Sequence, residues 1–105
     1  MDANGTRRSI FDALGDPTRR RIFEELRAGP RSVGDLAAGL PVSRPAVSQH
    51  LRVLEQAGLV SHRANGTRHV YRVEPDGLAE LRDYFERFWG DALERFAAEA
   101  RKERG

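Results

Sequence analysis

Arg44, Pro45, Ser48, Gln49 and Arg52 fall within nine residues of a segment that reads SRPAVSQHLRVLEQAGLV from Ser43 to Val60. At helical spacing these side chains share one face, while Val47, Leu51 and Leu54 share the opposite, apolar one. The types on the polar face suit hydrogen bonding to base edges. Arginine can bond guanine O6 and N7 bidentately, glutamine can do the same to adenine, and serine adapts to either. Residues in the first turns of such a helix reach the bases and later ones meet phosphate. Arg44, Pro45, Ser48 and Gln49 are therefore expected at base edges and Arg52 at the backbone. A surface helix that is merely polar is the plainer reading of the same residues.

The elements that would hold this face in place follow from capping and turn residues. Ser43 is a good N-cap, and Pro45 lies in the first turn, where a missing N–H is tolerated. Gly58 is placed to end the helix. Upstream, Ser32-Val-Gly-Asp35 has the spacing of a capping box, with aspartate a shorter partner than the usual glutamate or glutamine. It opens a short helix with Val33, Leu36, Ala37 and Leu40 on one side, which Pro41 is expected to stop. Two helices joined by a few residues, the second carrying a basic polar face, have the form of a helix-turn-helix.

After Gly58 the pattern becomes extended: LVSHRA, then Asn65-Gly66, then TRHVYRV. Asn-Gly between two β-capable runs predicts a hairpin with a type I′ turn over those two residues. Arg63 and Arg68 flank that turn, with His69 a third donor, so the hairpin is suited to lie along phosphates or enter a narrow minor groove. Charged hairpin ends that only protect edge strands are the alternative. Ser32 and Ser43, at the two helix entries, join Arg52, Arg63, Arg68 and His69 as candidates for backbone contact.

Two more helices precede this unit and one follows it. Ile10, Phe11 and Leu14 give an apolar stripe for a first helix from about Thr6 to Leu14. Asp16 and Pro17 start a second, with Ile22, Phe23 and Leu26 inward and Gly29-Pro30 at its end. A last helix follows Glu74-Pro75-Asp76, with Leu78, Leu81, Phe85, Phe88 and Ala92 on one stripe and Trp89, Leu93, Phe96 and Ala100 on an adjoining one. Two stripes over roughly seven turns are more apolar surface than one small core covers, so a second copy of the chain is the expected partner. Ile10, Phe11, Leu14, Phe85, Phe88, Trp89, Leu93 and Phe96 are the expected dimer contacts. A ligand pocket lined by Tyr84, Phe85, Phe88, Trp89 and Phe96 is the less favoured use of the same stripe.

Composition is consistent with this division. The chain has 105 residues, enough for one domain, and a net charge of only +2. The charge is unevenly placed. From Ser43 to Val73, Arg44, Arg52, Arg63, Arg68 and Arg72 face Glu55 alone, whereas from Glu74 to Ala100 the acids outnumber the arginines. A basic middle beside an acidic end suggests that the middle meets a polyanion.

The absence of cysteine removes disulfides, thiolate metal sites and thiol chemistry. No apolar run has signal-peptide or membrane-spanning length, so a soluble, cytoplasmic protein with no membrane partner is expected. No Ser-His-acid set, glycine-rich phosphate loop or paired-acid cleft suggests an enzyme, and no cofactor is implied.

FDALGDPTRRRIFEEL, SVGDLAAGLPVSRPAVSQHLRVLEQAGLV and the hairpin RANGTRHVYRV together resemble the ArsR/SmtB group of bacterial winged helix-turn-helix repressors, over nearly the whole chain. The resemblance implies a mainly α fold with a small β-hairpin, in the order α-α-α-α-β-β-α. Within one domain spanning 1–105, the helix-turn-helix would occupy about 32–58, the wing about 59–73, and the dimerisation helices about 6–14 and 75–101. It implies a homodimer, joined through the first and last helices, that represses transcription from an imperfectly palindromic operator in double-stranded DNA and is released by an inducer.

Many relatives sense metals through a cysteine cluster before the recognition helix, or through aspartate, histidine and glutamate on the last helix. Neither pattern is present. His50, His62 and His69 fall in the recognition helix and wing, and a carboxylate-only set of Asp83, Glu86 and Asp91 reads as a solvated face. No metal site is expected, and the residues name no inducer; an unidentified small molecule is the one candidate class. A module that uses the winged helix as scaffold and its apolar last helix to bind another protein is the rival reading.

Overall fold

A computed structural model describes residues 10–104. The chain is helical over 10–14 (α1); the expected start of this helix at Thr6 to Ser9 lies outside the described residues. The Asp16 carboxylate accepts a 2.8 Å hydrogen bond from the Arg19 N–H and caps α2, Pro17–Glu25, with proline in its first turn. That bond holds the Asp16 carboxyl below the usual aspartate range. Two arginines of α2 reach back to close α1: Arg19 Nε donates to the Ala13 carbonyl (2.6 Å) and Arg20 Nη1 to that of Leu14 (2.8 Å). These are the carbonyls a helix end leaves unpaired.

A 3₁₀ turn, Leu26–Ala28, ends at Gly29, whose φ of 144° only glycine adopts readily. A short strand β1, Arg31–Ser32, then precedes α3, Val33–Ala38. Sequence patterning does not reveal β1, because two residues show no alternation. Helix α3 ends at Ala38 with Gly39 as its cap, ahead of Pro41, which was expected to stop it. Helix α4, Arg44–Gln56, runs to a cap at Ala57, and Gly58 (φ 81°) turns the chain into β2, Val60–Asn65, and β3, Arg68–Val73. The sheet order is β1-β3-β2, antiparallel throughout, with Ser32 opposite Val70 and Asn65 opposite Arg68.

That register corrects the expected turn. The two loop residues are Gly66 and Thr67, not Asn65 and Gly66. Gly66 has φ 65°, and among the described residues no other residue type has positive φ. This is the sign pattern of a type II′ turn, which needs positive φ at glycine alone. A type I′ turn over Gly66-Thr67 would force a β-branched residue into the left-handed region.

The core gathers Ile10, Ile22, Leu26, Leu36, Val47, Leu51, Leu54, Leu59 and Val60, each at most 2% exposed. It thus joins α1, α2, α3, α4 and the base of the hairpin around α4. Helix α5, Pro75–Arg104, is about 45 Å long at 1.5 Å per residue and touches this core mainly through its first turns. A Cβ at buried Gly77 would run into the carbonyl oxygen of Gly58, so only glycine lets α5 start against the end of α4. Phe11 lies edge-on to Tyr84 (5.2 Å) and Phe85 (5.9 Å), joining α1 to α5.

Candidate nucleic-acid interface

Helix α4 is fixed from below. Val47, Leu51 and Leu54 are fully buried, each contributing about 1.5–3 kcal/mol through removal from water, as an upper estimate. Ser43 Oγ accepts from the Ala46 N–H at 3.3 Å and sets where the helix begins. The opposite face is thereby exposed: Arg44, Pro45, Gln49 and Arg52 are open to solvent, and Ser48 is half-buried beside them. Arg52 Nη1 donates to Gln49 Oε1 at 3.4 Å. Arg44 folds back instead of pointing outward, its guanidinium lying where a Cβ on Gly34 would come within 2.9 Å of Nη2. His50, at the edge of this helix, is half-buried, with Nδ1 shielded from solvent and without a hydrogen-bond partner among the described residues.

The wing stands beside this face. Strand alternation and register put Arg63, Asn65, Arg68 and Arg72 on one side of the hairpin and His62, Ala64, His69 and Tyr71 on the other. His69 was grouped with Arg63 and Arg68, but it projects from the opposite side, its ring 5.5 Å from that of His62. His62 Nδ1 lies 2.9 Å from a Glu55 carboxylate oxygen and its ring 4.9 Å from Tyr71, tying β2 and β3 to the last turn of α4. Burial, followed by the Glu55 charge, pushes the Tyr71 phenol pKa up, so this contact stays neutral on the tyrosine side.

A groove of about 600 Å³ separates wing from helix. The first turn of α3 forms its floor, with Arg44 and Ser48 on one wall and Thr67, Arg68 and His69 on the other. Ser32, expected to touch DNA backbone, is 5% exposed. Its hydroxyl oxygen accepts from the Asp35 N–H (3.1 Å) and from Arg68 Nη2 (3.0 Å). Burial and these two bonds make Ser32 the cap of α3 and a seat for Arg68. Asp35 Oδ2 also accepts from Arg68 Nη2, at 3.1 Å. This pair, 33 positions apart in the chain, leaves no local sequence signal.

The expected dimer contacts divide. Ile10 is 1% exposed within the single chain and belongs to the core, so it has no surface to offer a partner. Leu14 is half-buried against that core. Phe11 (39%), Phe85, Phe88, Trp89, Leu93 (63%) and Phe96 (74%) remain exposed, large apolar side chains of the kind that cluster at interaction surfaces. Among the described residues no group of three or more histidine, aspartate or glutamate side chains is arranged to hold a metal, and no helix is long and apolar enough to cross a membrane.

Comparison with known proteins agrees with this architecture. Residues 14–63 match a helix-turn-helix domain family. The chain is 58% identical over 87 residues to the HTH-type transcriptional regulator Rv2034 of Mycobacterium tuberculosis, covering 83% of this chain and 81% of that one. It superposes on an ArsR-like transcriptional regulator from Rhodococcus sp. RHA1 with a TM-score of 0.78 at 35% identity, over 93% of this chain and 92% of the other. A homodimeric winged helix-turn-helix DNA-binding domain from Mycobacterium bovis, of a possible ArsR-family regulator, matches at TM-score 0.68 and 27% identity, over 87% of this chain and 84% of its own. The buried seat of α4, the adjoining wing and these matches together place the chain in the ArsR/SmtB-type family of winged helix-turn-helix transcriptional regulators.

Proposed function

We propose that this chain is a homodimeric, sequence-specific DNA-binding repressor of transcription that acts in the cytoplasm and without catalysis. The carrying observation is the exposed polar face of α4, held by three fully buried residues and facing Arg68 of the wing across a groove. In this reading Arg44, Pro45, Ser48 and Gln49 meet base edges in the major groove. Arg52, Arg63 and Arg68 meet phosphates, with Ser43 and His69 at the margins. Arg44 has first to swing off Gly34, a motion its long side chain permits. Two copies join through α5 and the exposed part of α1, placing two α4 helices about one helical turn apart on a palindromic operator.

The test is a gel-shift titration against duplex DNA from upstream of the chain's own coding sequence at several salt concentrations. A discrete complex whose affinity falls steeply with salt is expected, because several arginines displace phosphate counterions. No complex at physiological salt would favour the rival, a scaffold that binds another protein through α5.

A further inference from the structure

Arg68 is the wing arginine best placed to meet phosphate, yet its guanidinium is already engaged. Nη2 donates to Ser32 Oγ at 3.0 Å and to Asp35 Oδ2 at 3.1 Å. Nη1 and Nε are left for a second acceptor. The Ser32 oxygen is buried and fixed by its capping bond, so it is a permanent seat. Asp35 is different in kind: its side chain is 55% exposed, as is 61% of the Arg68 side chain. An ion pair so open to solvent adds little to fold stability. It does place a carboxylate inside the groove between the wing and α4, where a polyanion would lie.

A guanidinium donates to carboxylate and phosphate oxygens alike. We infer that Asp35 is an internal stand-in for a DNA phosphate: it holds Arg68 in the free protein and competes with a phosphate for it when the wing engages the duplex. Every sequence, right or wrong, meets that exchange, so Asp35 lowers affinity for all DNA by the same factor and leaves the ratio between sequences unchanged. Only a duplex that also satisfies the α4 face then binds tightly enough to be held. The inference rests on the DNA-binding reading above.

The test compares wild type, Asp35→Asn, Arg68→Ala and the double variant on two duplexes. One is the tightest duplex recovered by selection from a random pool, and the other is its scrambled counterpart. Asp35→Asn should tighten binding to both duplexes by about the same factor, roughly three- to tenfold. Its salt slope should steepen by about one unit, because one negative charge leaves the groove. In the Arg68→Ala background the further Asp35→Asn change should give a much smaller gain.

The capping bond of α3 uses the Asp35 backbone N–H, so Asp35→Asn leaves it in place; should its melting curve shift, Asp35→Ser repeats the measurement. Unchanged affinities in Asp35→Asn would overturn the inference. So would weaker binding to both duplexes, which marks a carboxylate that only positions Arg68. Loss confined to the selected duplex would also overturn it, assigning Asp35 to base reading. Wild type that binds neither duplex would instead remove the DNA-binding reading itself.

Discussion

Helices α4 and α5 are both long and amphipathic, yet they differ in what the fold leaves uncovered. On α4 the apolar side is spent entirely inside the chain: Val47, Leu51 and Leu54 are each 0% exposed, and what remains is arginine, serine and glutamine. On α5 the first turns meet the core, while Phe88 (54%), Trp89 (50%), Leu93 and Phe96 do not. Uncovered polar surface beside basic strands suits a polyanion, and uncovered aromatic surface suits another apolar face. The two leftovers therefore point to different partners, nucleic acid for one helix and a second copy for the other.

Exchanging the character of α5 should have the largest effect. Phe88→Asp combined with Leu93→Asp is expected to yield a folded monomer in sedimentation equilibrium and to weaken binding to a palindromic duplex by orders of magnitude, because two half-sites no longer act together. An unaltered dimer would show that the exposed stripe is not its interface. Next in size is the core side of α4, where Leu51→Ala should cost about 2–5 kcal/mol in urea unfolding, transfer and cavity terms together. A loss well under 1 kcal/mol would mean the helix is not anchored as described.

The polar side of α4 gives a smaller, more selective change. Gln49→Ala should relax base preference at one position of each half-site, by about 1–3 kcal/mol of discrimination. Arg52→Ala should weaken all sequences alike and lower the salt slope by about one. Equal loss of selectivity from both would erase the division between base and phosphate contacts.

Asp16→Ala, at the cap of α2, should have the least effect. The folded-state carboxyl of Asp16 titrates below its ordinary value of 3.8, so its contribution is present above that value and disappears as pH falls through the lowered one. Melting temperatures of variant and wild type should differ at pH 7 and converge in strong acid. A gap that persists there would assign the loss to something other than the charge.

Much of the contrast between the helices was legible in the sequence. Ser43, Pro45 and Gly58 mark the limits of α4, and the 3.6-residue period of Val47, Leu51 and Leu54 identifies its buried side. The surplus of aromatics on α5 is equally visible. What was not legible depends on long-range contact. Ile10 lies on the same stripe as Phe11, but only packing decides that Ile10 closes the core while Phe11 faces α5.

Ser32 reads as an exposed cap until β1 pairs with β3 and buries it. Gly77 looks like a weak point in a helix until the Gly58 carbonyl is seen against it. The hairpin was found by its Asn-Gly pair, but its loop is Gly66-Thr67, one residue further on, with positive φ at Gly66 alone of the two.

The central claim is that two α4 helices, related by the symmetry of a dimer, read base sequence. Selection of bound duplexes from a random pool tests it in a single experiment. The account predicts an enriched palindrome whose half-sites are centred about 10–11 base pairs apart. A pool that remains random after repeated selection, or a consensus without twofold symmetry, would contradict it.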